Sequence, residues 1–270
     1  MTVKDKILQG RTYLGIELGS TRIKAVLIDD SFSVIASGSK QWENRFENGC
    51  WTYSLDDIHG GIQACYKDLA ENVKAQYGIY PETYGAMGIS AMMHGYMAFD
   101  KNDKLLVPFR TWRNTMTAQA AGELTKLLGF SIPQRWSIAH LYQAVLNKEA
   151  HVPYIAYINT LAGYVHKRLT DRFEVGVGEA SGIFPVEGIG YKKEYCEPTE
   201  KSLAEKGFDH KLKDILPAVR NAGEKGAVLT EEGAKFLDPE GRLKAGVPVC
   251  PPEGDAGTGM VATDSVLKKT

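Results

Sequence analysis

The chain has 270 residues, 43% of them hydrophobic, which is enough for one large domain or two small ones with a sizeable core. Its 32 basic residues nearly balance its 33 acidic residues, and no basic block favours nucleic acid as a partner. No uncharged run could span a bilayer, the first ten residues lack the apolar core of a signal peptide, and four widely spaced cysteines are typical of reduced thiols. We therefore expect a cytoplasmic globular protein without a membrane segment.

The first third of the chain predicts an antiparallel meander followed by a helix. Runs rich in β-branched and aliphatic residues predict strands at 13–18, 22–29 and 33–39. A helix is predicted over 56–76, because Ser54 and Asp57 have the spacing of a capping box and Gly78 lies just past its end.

The remainder alternates between strands and helices. "YGAMGIS" predicts a buried strand, and "YMAFD" and "LLVPFRTW" predict two more, joined by a turn at 100–103. Helices are predicted at 115–128, 137–149 and 159–169, each headed by a capping residue, with the short apolar run "YIAYI" between the last two. The tail predicts a helix near 230–237, a strand "VPVC" and a turn into "DAGTGMVAT". This order predicts an α/β fold with a mixed sheet flanked by helices, compatible with a ribonuclease-H-like layout.

The joint between the first two strands has an unusual composition, Glu17-Leu18-Gly19-Ser20-Thr21. The glycine lets backbone N–H groups approach a ligand closely, and the hydroxyls add further donors. A carboxylate two residues before the glycine could hold a divalent cation, which neutralises phosphate oxygens. An ordinary hairpin with a polar tip is the alternative that these residues leave open.

A second glycine-rich turn, "VPVCPPEGDAGTGMVA", has two interpretations. Gly257, Gly259 and Ala262 match the dinucleotide-binding fingerprint, but only eight residues follow Ala262, so a complete dinucleotide-binding unit and a dehydrogenase are disfavoured. The other interpretation places Asp255 at a helix N-terminus, where it can accept a proton from a substrate hydroxyl beside an incoming phosphate. A simple helix N-cap is the alternative for this residue.

Four segments, in the family's order, resemble the N-terminal domain of the FGGY carbohydrate kinases, and most closely its xylulose-kinase branch. They are "YLGIELGSTRIKAVLID", "MGISAMMHGYMAFD", "FRTWRNT" and "VPVCPPEGDAGTGMVA", with a weaker similarity in "VGEASGIFPVE". The resemblance implies the ribonuclease-H-like lobe shared by actin, hsp70 and sugar-kinase ATPases. It also implies that residues 1–262 form the N-terminal lobe, and that 263–270 are a linker or the start of a missing C-terminal lobe.

The resemblance implies a role for individual residues. Asp255 matches the general base that takes the proton from the sugar hydroxyl, in contact with sugar and Mg²⁺. Glu17 matches an acid near Mg²⁺–ATP, although the family usually has Asp there. The positions that match the phosphate-binding hairpin are Gly19, Ser20, Thr21, Arg22 and Lys24. The positions that match sugar contacts are Met93, His94, Gly95 and, by a looser alignment, Trp136.

The resemblance therefore implies the N-terminal lobe of an ATP-dependent kinase that phosphorylates a hydroxyl of a small, xylulose-like ketose. ATP and Mg²⁺ are the implied cofactors, and the sugar, ATP and the C-terminal lobe are the implied partners, with a homodimer left open. We expect little activity without the second lobe. Ala256 replaces the usual Asn or Gln, and Arg113-Asn114 replace the usual Asn-Asp. Because Glu17 and Ala256 both differ from the residues usual in the family, a non-catalytic sugar-binding or regulatory protein of the same fold is left open.

Overall fold

The computed structural model describes residues 1–224 and 226–263, so residues 264–270 of the expected linker or second lobe lie outside it. The helices are α1 (Val3–Leu8), α2 (Leu55–Tyr77), α3 (Ala118–Leu128), α4 (Ser137–Leu146), α5 (Leu161–Thr170), α6 (Val177–Ala180), α7 (Lys193–Glu205), α8 (Leu212–Ile215), α9 (Glu231–Leu237) and α10 (Asp255–Ala262). The strands are β1 (Thr12–Leu18), β2 (Arg22–Asp29), β3 (Val34–Gln41), β4 (Arg45–Glu47), β5 (Cys50–Thr52), β6 (Ala86–Ala91), β7 (Met97–Phe99), β8 (Tyr157–Asn159), β9 (Glu174–Gly176), β10 (Val186–Glu187), β11 (Gly190–Tyr191), β12 (Ala218–Arg220), β13 (Ala227–Val228), β14 (Pro248–Val249) and β15 (Glu253–Gly254).

A mixed sheet organises the fold, as the sequence predicts. Its strand order is β13-β14-β6-β1-β2-β3, and β15 also pairs with β6. The meander β1-β2-β3 is antiparallel, whereas β6 runs parallel to β1, β14 and β15. The carboxyl ends of β1, β6 and β15 consequently meet at one edge of the sheet.

One face of the sheet is covered by helices. Residues of β1 alternate between buried and accessible positions, with Leu14, Ile16 and Leu18 facing the core. Helix α2 packs on β2 and β3, and α5 and α9 complete the layer. At Gly38 the helix backbone lies so close that an added Cβ would be 2.4 Å from the backbone nitrogen of Leu69. Only glycine permits this approach.

A second hydrophobic core surrounds α4. Helices α3 and α7 pack beside it, and Leu124, Leu141 and Phe184 are fully buried there. This core supports the loops that follow β6, which connect the two halves of the lobe. None of the described helices is long and apolar enough to cross a membrane.

Several predicted elements are confirmed. The capping box of α2 is present, with Ser54 and Asp57 bonding each other's backbone N–H groups, and Gly78 ends the helix at φ 75°. Helix α9 begins after Thr230, whose hydroxyl accepts from the N–H of Gly233. The meander, β6, β7 and α5 also lie where the sequence predicts them.

Other predictions were wrong in instructive ways. "LLVPFRTW" forms only isolated bridges, at Leu105 and Arg110, because its central proline has no N–H to donate to a ladder. Helix α3 begins at Ala118 rather than 115, and Thr117 donates its hydroxyl to the carbonyl of Gln134 instead of capping. Helix α4 ends at Leu146 and also lacks a side-chain cap. The sequence analysis missed α1 and α7.

Candidate functional site

The turn between β1 and β2 is held from behind by two aromatic side chains. The N–H of Gly19 donates to the carbonyl of Arg22 at 3.1 Å, which closes the turn. The indole N–H of Trp42 donates to the backbone carbonyl of Gly19 at 2.7 Å, and the hydroxyl of Tyr53 donates to the backbone carbonyl of Ser20 at 2.5 Å. The two rings stack with their centroids 4.1 Å apart. Sequence reasoning found the turn but not the aromatic pair that fixes it.

A row of polar side chains crosses the sheet at its carboxyl edge. Glu17 of β1 lies opposite Lys24 of β2 on one side and beside Ser90 of β6 on the other. Ser90 in turn pairs with Glu253 of β15. These four residues line a cleft of about 560 Å³, and Asp255 lies at its rim on α10. The structure thus brings Glu17, Lys24 and Asp255 together.

The other hairpin residues lie outside this cleft. They form the tip of the turn beside it, where Thr21 and Arg22 are exposed and Gly19 and Ser20 are half-buried. The exposed hydroxyls and backbone of this tip are available to a ligand that extends beyond the cleft.

Asp255 is the first residue of α10, and Gly254 is the N-cap. The interpretation of Asp255 as the N-cap is therefore wrong, because extended backbone at Gly254 precedes the helix and no side chain caps it. The Asp255 carboxylate is exposed, and its Oδ1 accepts from the N–H of Met93 at 3.3 Å. An acidic side chain in the first helical turn is favoured by the helix dipole.

The loop after β6 carries the three neighbouring residues matched to sugar contacts. His94 and Gly95 both have left-handed backbone, at φ 68° and 88°, so the chain turns sharply after Met93. The N–H of Gly95 donates to the carbonyl of Arg135 at 3.2 Å, and the hydroxyl of Ser137 donates to that of Gly95 at 2.6 Å. The start of α4 thereby anchors this loop.

His94 and Trp136 differ in how they relate to this loop. The Nδ1 of His94 lies 3.4 Å from the carbonyl of Gly182. Burial lowers the pKa of His94, and the charge of Arg135 acts in the same direction, so the imidazole is neutral at pH 7. Trp136 is the N-cap residue of α4, adjacent to the anchoring residues, and its ring lies beside Phe130 with centroids 6.3 Å apart. The backbone of Trp136 lies next to the loop, and the described contact of its ring is with Phe130.

Two glutamates behind Asp255 were missed by sequence reasoning. Oε2 of Glu253 accepts from the N–H of Glu179 at 3.0 Å. Burial raises the pKa of Glu253, and the backbone N–H groups of Gly178 and Glu179 oppose the rise. Glu179 is fully buried, and no cationic side chain is paired with its carboxyl group among the described residues. The signal available in sequence was an acid two residues before Asp255.

Burial raises the pKa of Glu179 to about 8, against the lowering effect of the Thr160 hydroxyl. The negative charges of Glu253 and Asp255 add to the rise. Glu179 therefore carries its proton at neutral pH, as a buried carboxyl without a cationic partner must.

The donor set of the cleft suits a hard cation. Glu17 and Asp255 supply carboxylate oxygens, the ligands that Mg²⁺ prefers, and both line the same cleft. Within the described residues, no group of three His, Cys, Asp or Glu side chains could hold a metal ion unaided. Mg²⁺ is usually bound by one or two carboxylates together with waters and substrate phosphates.

Solved structures share this architecture. A xylulose kinase from Rhodospirillum rubrum superposes with a TM-score of 0.75 at 17% identity, covering 95% of this chain and 51% of that chain. A gluconate kinase from Lactobacillus acidophilus gives a TM-score of 0.75 at 18% identity, covering 94% and 50%. The fold is that of the ribonuclease-H-like lobe of the actin, hsp70 and sugar-kinase ATPases.

The sequence comparisons define the family. The model of the FGGY family of carbohydrate kinases, N-terminal domain, matches residues 12–262. The chain belongs to the FGGY family of carbohydrate kinases and corresponds to its N-terminal domain. It is 25% identical to a xylulose kinase from Haemophilus influenzae, over 94% of this chain and 52% of that protein. The chain thus spans about half the length of this relative.

Proposed function

We propose that residues 1–262 are the N-terminal lobe of an ATP-dependent kinase that phosphorylates a hydroxyl of a small, xylulose-like ketose. Residues 263–270 would then be a linker or the start of the second lobe. One observation carries the proposal: Asp255 Oδ1 accepts from the N–H of Met93, which joins the candidate proton acceptor to the candidate sugar-contact loop. Family membership and the polar row of Glu17, Lys24 and Ser90 support it.

Asp255 is the proposed general base. It is exposed at the rim of the cleft, so a substrate hydroxyl can reach its carboxylate without displacing protein atoms. A carboxylate in this position accepts the hydroxyl proton as the oxygen attacks phosphorus, which contributes about 10²–10⁴-fold to the rate. Phosphoryl transfer otherwise requires mainly positioning and charge neutralisation from the protein.

The phosphate side of the site is the hairpin and the sheet edge. Mg²⁺–ATP, when bound, supplies the phosphoryl group and the cation that neutralises its oxygens. Glu17 and Asp255 would hold the metal ion. Lys24 adds a positive charge within the cleft. Beside the cleft, the turn residues to which we assign phosphate binding are Gly19, Ser20, Thr21 and Arg22. Because Trp42 and Tyr53 already fix the carbonyls of this turn, its N–H groups and hydroxyls need little reordering when phosphate binds.

The sugar side is the loop at Met93, His94 and Gly95, with Trp136 next to its anchor. A neutral imidazole has one donor and one acceptor nitrogen, so His94 can bond a sugar hydroxyl in either sense. The left-handed backbone at His94 and Gly95 turns the chain sharply after Met93, and the charge of Asp255 is close enough to His94 to act on the histidine's pKa. The space between Asp255 and His94 is therefore where we place the acceptor hydroxyl.

We further propose that this lobe alone has little kinase activity. The chain covers about half of its relatives, and Asp255 is exposed rather than enclosed. A site that is open to water weakens every electrostatic interaction with the developing charge. A non-catalytic sugar-binding or regulatory role is the second candidate, favoured by Ala256 where the family usually has Asn or Gln and by Glu17 where the family usually has Asp.

Sugar-dependent release of ADP by the complete product of the gene tests the proposal. A panel of ketoses and a matched panel of aldoses are supplied with Mg²⁺–ATP, and sugar binding is measured in parallel by calorimetry. Ketose-stimulated ADP release that scales with enzyme supports a kinase. Sugar binding without turnover by the complete product supports the second candidate, and robust turnover by the 270-residue chain contradicts the proposed dependence on another lobe.

A further inference from the structure

The carboxylate of Glu253 occupies a cavity shaped by glycine. An added Cβ on Gly176 would lie 2.0 Å from Oε1 of Glu253, and one on Gly178 would lie 2.6 Å from Oε2. Neither glycine has the left-handed backbone that would by itself require glycine. The absent side chains therefore serve to admit the Glu253 carboxylate.

Hydrogen bonds fix the carboxylate once it is in this cavity. Oε2 of Glu253 accepts from the N–H of Glu179 at 3.0 Å. The backbone adds a second tie, because the N–H of Gly176 donates to the carbonyl of Pro252 at 2.8 Å. The segment before Asp255 is thus fastened to residues 176–179 through both its side chain and its main chain.

Asp255 has few restraints of its own. Strand β15 has only two residues, which pair with Ser90 and Ala91, and Asp255 follows it directly. The Asp255 carboxylate has one described protein contact, the N–H of Met93. Gly254 fits equally tightly, since an added Cβ there would lie 2.0 Å from Cγ of Met93. A shift of Glu253 is therefore passed to Asp255, whereas the loop at His94 and Gly95 keeps its own anchor at the start of α4.

We propose that Glu253 is a positioning residue that holds Asp255 against the loop of Met93, by inserting its carboxylate between Gly176, Gly178 and the N–H of Glu179. This inference rests on the proposed role of Asp255 as general base. In this role Glu253 itself need not touch sugar or nucleotide.

Variants at both sides of the cavity test the proposal in the complete kinase. Glu253→Ala removes the inserted group, and Gly176→Ala displaces it with a methyl group. Each should lower kcat by about 10- to 100-fold, because small misplacements of reacting groups have effects of that order. The KM for the sugar should change by no more than about threefold, since the sugar contacts stay in place. Glu253→Gln keeps an acceptor oxygen and the shape, and should restore kcat to within about threefold of the wild type.

The double variant distinguishes this mechanism from general destabilisation. In Glu253→Ala/Gly176→Ala the new methyl group no longer meets a carboxylate, so the double variant should be no slower than Glu253→Ala alone. Gly60→Ala is the control, because an added Cβ on this exposed glycine of α2 meets nothing within 4 Å. Additive losses of kcat, or equal losses for Gly60→Ala, would overturn the proposal.

A readout on the 270-residue chain is independent of activity. The Met93 N–H is protected from hydrogen exchange by its bond to Asp255, so exchange measured by NMR should accelerate in Asp255→Ala, Glu253→Ala and Gly176→Ala but not in Glu253→Gln. Unchanged Met93 exchange in Glu253→Ala overturns the positioning role whether or not the kinase is active. If the complete product phosphorylates no sugar while exchange behaves as expected, the proposed function fails and the structural role of Glu253 stands. Normal kcat with accelerated exchange overturns the catalytic consequence.

Discussion

Lys24 lies directly opposite Glu17 in the antiparallel ladder of β1 and β2, and both residues line the cleft that reaches Asp255. Opposite charges on neighbouring strands favour one another, and within the cleft Lys24 is exposed and Glu17 is half-buried. Each charge is therefore available to a ligand of opposite sign. A nucleotide with its cation carries both signs, which is why this pair suits the phosphate side of a kinase site.

Glu17→Gln tests the metal-binding half of this pair. In the complete kinase we expect a raised Mg²⁺ requirement, by about tenfold, because an amide oxygen is a weaker ligand for a hard cation than a carboxylate. The measurement is the Mg²⁺ dependence of turnover at saturating ATP and sugar. Glu43→Gln, an exposed residue away from the cleft, is the control. An unchanged Mg²⁺ dependence would remove Glu17 from the metal site.

Asp255→Asn tests the general base. The fold and sugar affinity should stay nearly intact because the side chains match in size and hydrogen-bonding reach, while kcat should fall by about 10² or more because an amide does not accept the proton. Steady-state kinetics and calorimetry on the complete kinase measure the two effects. Asp56→Asn, in the first turn of α2 and also exposed, controls for loss of a first-turn charge. Near-normal turnover would leave Asp255 with a structural role alone.

Tyr53→Phe tests whether the aromatic support of the hairpin matters for nucleotide binding. The substitution keeps the ring stacked on Trp42 and removes the donor to the carbonyl of Ser20. We expect about 1 kcal/mol less stability, the usual contribution of one hydrogen bond, and a KM for ATP that rises several-fold.

Tyr77→Phe provides the matched comparison for Tyr53→Phe. Its hydroxyl also donates to a backbone carbonyl, that of Ile35 at 3.2 Å, but at the other end of α2. The control should lose stability without a change in the KM for ATP. Equal effects of the two substitutions on KM would mean that the hairpin does not depend on Tyr53.

Glu179→Gln tests the protonated carboxyl behind the site through the pH dependence of stability. The pKa of Glu179 is about 8 in the folded protein against 4.5 as its ordinary value. Between these values the folded state holds a proton that the unfolded state has lost, so the cost of burying Glu179 grows as pH rises from 4.5 to 8 and is constant above.

Glutamine is neutral at every pH and avoids that cost. The variant should match the wild type near pH 4.5 and exceed it by up to a few kcal/mol at pH 8, from about 1.4 kcal/mol per pKa unit. Urea unfolding of the 270-residue chain at several pH values measures the difference. Glu231→Gln, exposed in the first turn of α9, should show no such trend. A stability difference that does not grow with pH would mean that Glu179 is ionised in the folded protein.

Local signals in the sequence predicted the elements that depend on local physics. Strand alternation predicted the meander, and the pair Ser54 and Asp57 predicted the start of α2, because both patterns act within a few residues. Motif similarity indicated Asp255 and the hairpin, and the structure places Asp255, Glu17 and Lys24 on one cleft. Their roles in catalysis stay predictions.

Non-local contacts were beyond the reach of sequence patterns. The polar row depends on the parallel pairing of Ser90 with both Glu17 and Glu253, which joins three segments that lie far apart along the chain. The start of α3 at Ala118 could not be recognised from the sequence, because the hydroxyl of Thr117 donates to the carbonyl of Gln134 in another loop instead of capping the helix. In the sequence Glu179 has no feature that distinguishes it from an exposed acidic residue of a helix, and only the three-dimensional packing shows that it is buried.

The close approach at Gly38 has a consequence for the far end of the lobe. Backbone atoms of α2 lie against β3 at that glycine. Unlike a side chain, the backbone has no alternative rotamer that could make room for an added Cβ. The same helix begins two residues after Tyr53, whose hydroxyl holds the carbonyl of Ser20. The distance between α2 and β3 at Gly38 therefore also affects where Tyr53 holds the hairpin between β1 and β2. A substitution at Gly38 should therefore be judged by the geometry of the hairpin, the proposed phosphate-binding segment, as well as by folding.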